Sequence, residues 1–333
     1  MPKVSILMPV YNAEQYIAQA LESIIYQDFK DWELILINDG STDRSDEIIR
    51  QYDDERIYYI NNPQNLKLIK TLNKGIDYCH GKYIARMDAD DIAVADRLLH
   101  QVHFLDSHPD YLMCGTNAIV IGNQGNKTGS IKNLSDNGML QINLLFSVPF
   151  VHPTVMIRRE VLVKNRYDEA YKHVEDYELW CRIARQGKVA NINEDLLAYR
   201  WHDTNVSVVY NQVQEDLKDK IIKEQLMLLD IQPTAEELYC HRITFRLYDM
   251  GTKLDVSVER FNDISAWFSV LIKQNAIKKI YNQYDLIAFL WSRWIVLCIS
   301  QKRYNKVLSP SFATCSFSVL KRLFKLVAFL RKK

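Results

Sequence analysis

The sequence predicts an α/β protein, a mostly parallel, twisted sheet flanked by helices, followed by a mainly α-helical C-terminal region. Short apolar runs recur through roughly the first 100 residues, and between them apolar residues repeat at three- and four-residue spacing. Strand and helix thus alternate at lengths that suit βαβ units. From about residue 205 the pattern changes to long helices, so two domains, 1–205 and 206–333, are expected.

Val4-Ser5-Ile6-Leu7-Met8, ending at Pro9, reads as a buried strand. Ala13, Tyr16, Ile17, Ala20, Leu21, Ile24 and Ile25 form one helical face, with Asn12 as the expected N-cap. Trp32 to Ile37 is a second strand, closed by Asn38-Asp39-Gly40-Ser41, and Asp43 is placed to cap a helix through Ile48, Ile49 and Tyr52. Ile57 to Ile60 is a third strand. Leu68, Leu72, Ile76 and Cys79 mark a helix that Gly81 is expected to end. Lys82 to Ala85 is the next strand, and Leu98, Leu99, Val102 and Leu105 the next helix. Tyr111 to Ile121 is strand-like, with a turn at Gly122 to Lys127, and residues 130–150 give weak signals. His152 to Ile157 looks like a strand, Val174-Glu175-Asp176 leads into a helix, and Val189 to Trp201 contains a last strand before His202. The later helices break near Pro233 and Gly251.

Composition bounds the function. With 48% hydrophobic and 25% charged residues the chain is globular, and its net charge of +1 gives no basis for nucleic-acid binding. The charge is uneven. After Asp285 there are ten Lys and Arg and no acid, which leaves −9 for the preceding residues. Such a tail suits an anionic partner. The six cysteines include no C-x-x-C pair and read as reduced thiols of a cytosolic protein. The N-terminal apolar run is too short for a signal peptide. No stretch supplies the roughly 18–20 apolar residues of a membrane span, since Arg293 interrupts Leu286 to Ser300.

Chemistry concentrates in Ala85-Arg86-Met87-Asp88-Ala89-Asp90-Asp91, three carboxylates within four residues. Carboxylates this close repel one another. A divalent cation relieves that, and Mg²⁺ prefers oxygen ligands shared with a substrate's phosphates. The competing reading makes Asp90 or Asp91 the cap of the following helix. In open α/β sheets, ligands bind outside the carboxyl ends of the strands. Tyr11-Asn12, Asp39 and Asp88 to Asp90 all follow strand ends, which points to one polar edge.

Taken together, these segments resemble family 2 glycosyltransferases, GT-A-fold enzymes that use nucleotide-diphosphate sugars. The resemblance covers roughly residues 3–205 and rests on an ordered set of motifs. Ser5 to Asn12 resembles the opening strand and nucleotide loop, Asn38 to Asp43 the base-recognition loop, Ala85 to Asp91 the D-x-D region, and Glu175 to Trp180 the catalytic-base segment. In Asn65-Leu66-Lys67 the family usually has glycine where Lys67 stands. The Q-x-x-R-W segment of processive synthases is absent, since Cys181-Arg182 follows Trp180.

The resemblance implies an inverting, metal-dependent transferase that moves one sugar, with uridine the expected nucleoside. Pro9, Tyr11, Asn12, Asp39 and Asp88 would bind the nucleotide. Asp39 would accept the uracil imide N–H, Tyr11 would stack on the base, and Asp88 would lie near the ribose. Asp90 and His202 would hold Mn²⁺ or Mg²⁺, with Asp91 and Glu175 as supporting neighbours. Asp176 would be the general base. Each residue also has a structural reading: an Asx turn at Asp39-Gly40, packing for Tyr11, an ordinary surface histidine at 202, and a helix N-terminus at Glu175-Asp176. A nucleotidyltransferase is disfavoured because no Gly-rich phosphate loop lies near the N-terminus. A nucleotide-sugar hydrolase and a non-catalytic binding module remain alternatives. The acceptor would be a glycan or a lipid-linked sugar in cell-surface polysaccharide or lipopolysaccharide synthesis. From Phe317 onward, basic residues and Leu320, Leu323, Phe324, Val327 and Leu330 separate on a helix. This helix is expected to meet an anionic membrane, placing the protein peripherally on the cytoplasmic face of the inner membrane.

Overall fold

The computed structural model describes residues 1–202, 211–249, 256–307 and 316–330. It divides into residues 1–135 with 149–214, and residues 136–148 with 215–333. The expected boundary near 205 and the break at Gly251 lie outside the described residues.

The first unit is built on β1 (Val4–Val10), β2 (Trp32–Asn38), β3 (Ile57–Asn61), β4 (Tyr83–Arg86), β5 (Ile92–Ala93), β6 (Tyr111–Ile121), β7 (Lys127–Ile131), β8 (Met156–Arg158) and β9 (Lys188–Arg200). They form one nine-stranded sheet in the order β3-β2-β1-β4-β8-β6-β9-β5, with β7 also on β6. Every residue of β1 and β2 is buried, as expected of central strands covered on both faces. Pairing is parallel through β3, β2, β1 and β4, and again between β6 and β9. The pairings of β8, β7 and β5 are antiparallel, so the expected α/β class holds but the parallel order is confined to those two groups. Gly81 lies where a Cβ would come within 2.5 Å of the Ser5 backbone nitrogen, so close approach to β1 requires glycine there.

Several local expectations shift. Helix α1 (Ile17–Ile25) has Tyr16 at its N-cap, not Asn12, which adopts φ +49°. In α2 (Ser45–Ile49) the Asp43 carboxylate takes the Ser45 N–H at 3.0 Å, although Arg44 is the N-cap. Helix α3 (Leu68–Tyr78) ends before Gly81, and α4 (Arg97–Ser107) follows Asp96. Residues His152–Thr154 form a 3-10 turn before β8, because Pro153 removes a ladder donor. Helices α5 (Asn137–Leu144), α6 (Arg159–Lys164) and α7 (Glu175–Ala184) follow.

The second unit combines α5 with α8 (Asn211–Met227) from Glu215 onward, α9 (Ala235–Asp249), α10 (Val258–Lys278), α11 (Gln283–Ser300) and α12 (Phe317–Leu330). Its centre is His241, stacked on Phe146 with centroids 4.1 Å apart. His241 Nε2 donates to the Leu145 carbonyl at 2.9 Å and Nδ1 accepts from Trp267 Nε1 at 3.1 Å. Burial pushes its pKa down to about 4, so the ring is neutral. Arg293 lies over the Phe245 ring at 3.9 Å. Helix α12 docks on α11 through buried Val319, Leu323 and Leu326, and Arg322 pairs with Asp285. The docked side therefore differs from the expected one. Phe317 and Phe324 are 84% and 73% exposed, and Lys321 and Lys325 stand beside them. Among the described residues no helix is long and apolar enough to cross a membrane.

Candidate active site

The aspartate loop leaves the sheet directly after β4, where the Met87 N–H still donates to the Leu7 carbonyl at 3.1 Å. Asp88, Asp90 and Asp91 each place a carboxylate oxygen within 4.8 Å of the others. The helix-cap reading fails, since α4 begins at Arg97 with Asp96 at the cap position. Burial raises the pKa of Asp88 and, more strongly, of Asp91, and the Asp90 charge adds to both. Asp91 Oδ1 accepts the Arg200 N–H at 2.7 Å, while Oδ2 is buried without a hydrogen-bond partner. Mutual repulsion and an unsatisfied buried carboxylate oxygen fit a divalent cation. His202 Nε2 lies 3.0 Å from Asp90 Oδ2, and its ring stacks on Tyr16 at 6.0 Å.

Three buried arginines, none of them picked out from the sequence, hold this loop. Arg86 bonds the Met87 carbonyl and Asp88. Arg97 donates to the Arg86 carbonyl at 2.8 Å and to Gln101 Oε1 at 3.0 Å. Arg200, 1% exposed, donates to the carbonyls of Asp90 (2.7 Å), Gly122 (3.0 Å) and Asn123 (3.1 Å) and to Gln19 Oε1 (2.9 Å). For Arg86 and Arg200 the available signal was an arginine set among apolar strand residues, which demands acceptors when buried; Arg97, at the start of α4, had no such signal.

Asp39 is buried just past β2, its N–H bonded to the Val10 carbonyl at 2.7 Å. Its Oδ1 accepts from Asn62 Nδ2 (2.8 Å) and the Leu66 N–H (2.9 Å), and its Oδ2 from the Lys67 N–H (2.9 Å). The carboxylate thus organises the loop before α3 rather than an Asx turn at Gly40. Lys67, at the position where the resemblance leads one to expect glycine, has φ +74°. Asn12 ties the first two loops together. Its N–H donates to Ser41 Oγ at 3.0 Å and its Oδ1 accepts the Thr42 N–H at 2.8 Å. Tyr11 is 49% exposed at the same edge. Pro9 is not on the loop. It is buried in β1 opposite Ile37, beyond the last β4 pairing at Leu7, so its missing N–H breaks no ladder there.

Asp176 and Glu175 open α7. Asp176 is half-buried and accepts its neighbour Tyr177's N–H at 2.7 Å. Burial, then the Asp176 charge, pushes the Glu175 pKa up to about 7, and Glu175 Oε2 is buried without a partner. Tyr199, whose pKa burial raises, also feels Asp91, Asp88, Asp90 and Asp176. Tyr167 feels Arg86, Asp176, Glu175 and Asp88, and its hydroxyl bonds His152 Nε2 at 2.8 Å. These two phenols thus sense both acidic groups at once.

Glu175 sets a pH dependence of stability. Its folded pKa of about 7 exceeds the ordinary 4.5, so its stability contribution falls as pH rises from about 4.5 to about 7 and stays low above that. Glu175→Gln removes the cost of ionising it. The variant should gain stability relative to wild type at pH 8 compared with pH 5, by at most about 3 kcal/mol. Urea titrations at both pH values measure it, and an unchanged difference would mean that Glu175 ionises freely.

The α/β sheet, parallel through β3, β2, β1 and β4, carries clustered carboxylates at the carboxyl end of β4. The fold is the GT-A glycosyltransferase fold, with a TM-score of 0.60 to Staphylococcus aureus TarS 1–349, solved with UDP-GlcNAc, over 92% of this chain and 90% of that one at 17% identity. The chain belongs to glycosyltransferase family 2, whose family model, "Glycosyl transferase family 2", matches residues 5–166. It is 37% identical over 239 residues to an uncharacterised glycosyltransferase of Haemophilus influenzae, covering 68% of this chain and 73% of that one. It is also 28% identical to the Escherichia coli UDP-Glc:alpha-D-GlcNAc-diphosphoundecaprenol beta-1,3-glucosyltransferase WfgD, covering 64% and 81%. It is therefore a glycosyltransferase related to enzymes of polysaccharide biosynthesis.

Proposed function

We propose that the enzyme transfers one sugar, with inversion, from a uridine-diphosphate sugar to a hydroxyl of a glycan or lipid-linked acceptor in cell-surface polysaccharide or lipopolysaccharide synthesis. The observation that carries this reading is the carboxylate trio with its unsatisfied Asp91 oxygen, at the sheet edge that also presents Asp39. Asp39 accepts the uracil imide N–H, Tyr11 stacks on the base, Asn12 shapes the loop beneath it, and Asp88 lies near the ribose. Asp90 and His202 hold Mn²⁺ or Mg²⁺, with Asp91 fixed behind them by Arg200. When bound, the ion stabilises charge on the leaving diphosphate. Asp176 takes the acceptor hydroxyl's proton as the oxygen attacks the anomeric carbon. The C–O bond to the diphosphate breaks on the opposite side, which inverts the centre. Pro9 contributes through the strand it lies in rather than through a loop contact.

Turnover of UDP-sugars with and without candidate acceptors tests the reading. UDP release that requires acceptor supports transfer. Release at the same rate with water alone makes the enzyme a hydrolase, and binding without turnover makes it a binding module.

The described part of α12 supports a peripheral membrane contact, because Phe317, Lys321, Phe324 and Lys325 all point away from α11. WfgD is named for a lipid-linked acceptor, and a membrane-bound acceptor suits such a contact. Each basic residue near an anionic bilayer contributes about 1 kcal/mol. Lys321→Ser with Lys325→Ser should therefore weaken sedimentation with anionic liposomes about tenfold or more, and high salt should weaken the wild type likewise. Equal sedimentation of variant and wild type would leave α12 a purely structural helix.

A further inference from the structure

Lys67 has φ +74° and ψ 158°, a region that only glycine occupies comfortably. Its backbone does nothing that glycine would not do. The N–H donates to Asp39 Oδ2 at 2.9 Å and to Asn65 Oδ1 at 2.8 Å, and both bonds survive without a side chain. The side chain is exposed, and its ammonium makes no hydrogen bond or ion pair with any described residue. The strain therefore serves no local contact of the side chain, which leaves the ammonium able to act on something outside the chain.

Asp39 shows what that is. Among the described residues, Oδ1 accepts two hydrogen bonds, whereas Oδ2 accepts only the Lys67 N–H and keeps one acceptor position. A lysine side chain is about 6 Å long from Cα to ammonium, and the Lys67 N–H lies 2.9 Å from Asp39 Oδ2, so the side chain is long enough to meet a group docked there. One acceptor beside one cationic donor complements an N–H flanked by a carbonyl. We infer that Asp39 and Lys67 together read the imide edge of uracil: Oδ2 accepts the ring N–H, and the Lys67 ammonium donates to the adjacent carbonyl oxygen. Cytosine reverses this pattern. Its ring nitrogen would meet the carboxylate acceptor to acceptor, and its amino group would meet the ammonium donor to donor. Lys67 is thus a specificity-determining residue for the nucleoside, an inference that rests on the uridine-nucleotide reading above.

Calorimetry of the full-length protein with UDP and CDP, in Mn²⁺, provides the test. Lys67→Met keeps the strained backbone and the stem but removes the charge. It should weaken UDP binding about tenfold or more while changing CDP binding less than twofold. Lys67→Gly should show the same loss of UDP affinity and also raise Tm by several degrees, because it relieves the strain. Equal losses for UDP and CDP would place the ammonium on the phosphates and overturn the assignment, as would unchanged UDP affinity. A Lys67→Gly chain no more stable than wild type would overturn the strain argument. If wild type itself binds CDP as tightly as UDP, the uridine reading fails first and this inference falls with it. Wild-type preference for UDP that is undiminished in Lys67→Met sinks the inference alone.

Discussion

Asp176→Asn should bind nucleotide like the wild type and transfer sugar about 10²–10⁴ times more slowly. The amide keeps the shape of the side chain and still accepts the Tyr177 N–H that now holds Oδ1 at 2.7 Å. It cannot take the acceptor's proton. Glu175 is a poor substitute, because it is only 6% exposed. The loss should therefore appear in kcat at saturating donor. Product NMR on the wild type should show an anomeric configuration opposite to that of the donor. A wild-type rate in the variant would mean that another residue is the base. Retained configuration would replace the single displacement with a different mechanism.

The parts of the fold legible in the sequence were those whose burial is decided locally. β1 and β2 lie in the middle of the sheet and must be apolar on both faces, so they appear as uninterrupted runs. β7, Lys-Thr-Gly-Ser-Ile, forms only by pairing with β6 and carries no such pattern. The grouping of residues 136–148 with the late helices likewise depends on partners such as His241 and Phe245, about a hundred positions away. The site divides in the same way. Asp39, Asp88 and Asp90 were legible because carboxylates just after apolar strands mark the sheet's open edge. Arg200 was not, since its acceptors lie as far off as Gln19 and Asp90 and no local pattern announces them. Asn12 was misjudged for a related reason. Its residue type suits a helix cap, but here it adopts a left-handed conformation and joins two loops through Ser41 and Thr42.

Asp90→Ala should separate binding from stability. In wild type, a chelator should weaken UDP affinity by about a hundredfold or more. Losing even an outer partner of a metal ligand typically costs 10–100-fold, and losing the ion costs more. In the variant, affinity should be low from the start and indifferent to chelator, because the trio has lost the carboxylate that His202 faces at 3.0 Å. Stability should not follow affinity down. The Asp90 charge raises the pKa of both Asp88 and Asp91, so removing it relieves repulsion in the metal-free chain. Tm in chelator should therefore be no lower than that of wild type. His202→Ala should produce the same loss of metal dependence at smaller size, since it removes one proposed ligand and leaves three carboxylates in place. Calorimetry and thermal melts with and without Mn²⁺ read both quantities on the same samples. If Asp90→Ala bound UDP as tightly as wild type and remained sensitive to chelator, the ion would sit elsewhere. If Tm fell sharply in chelator, Asp90 would be holding the loop together through His202, and the trio would be structural.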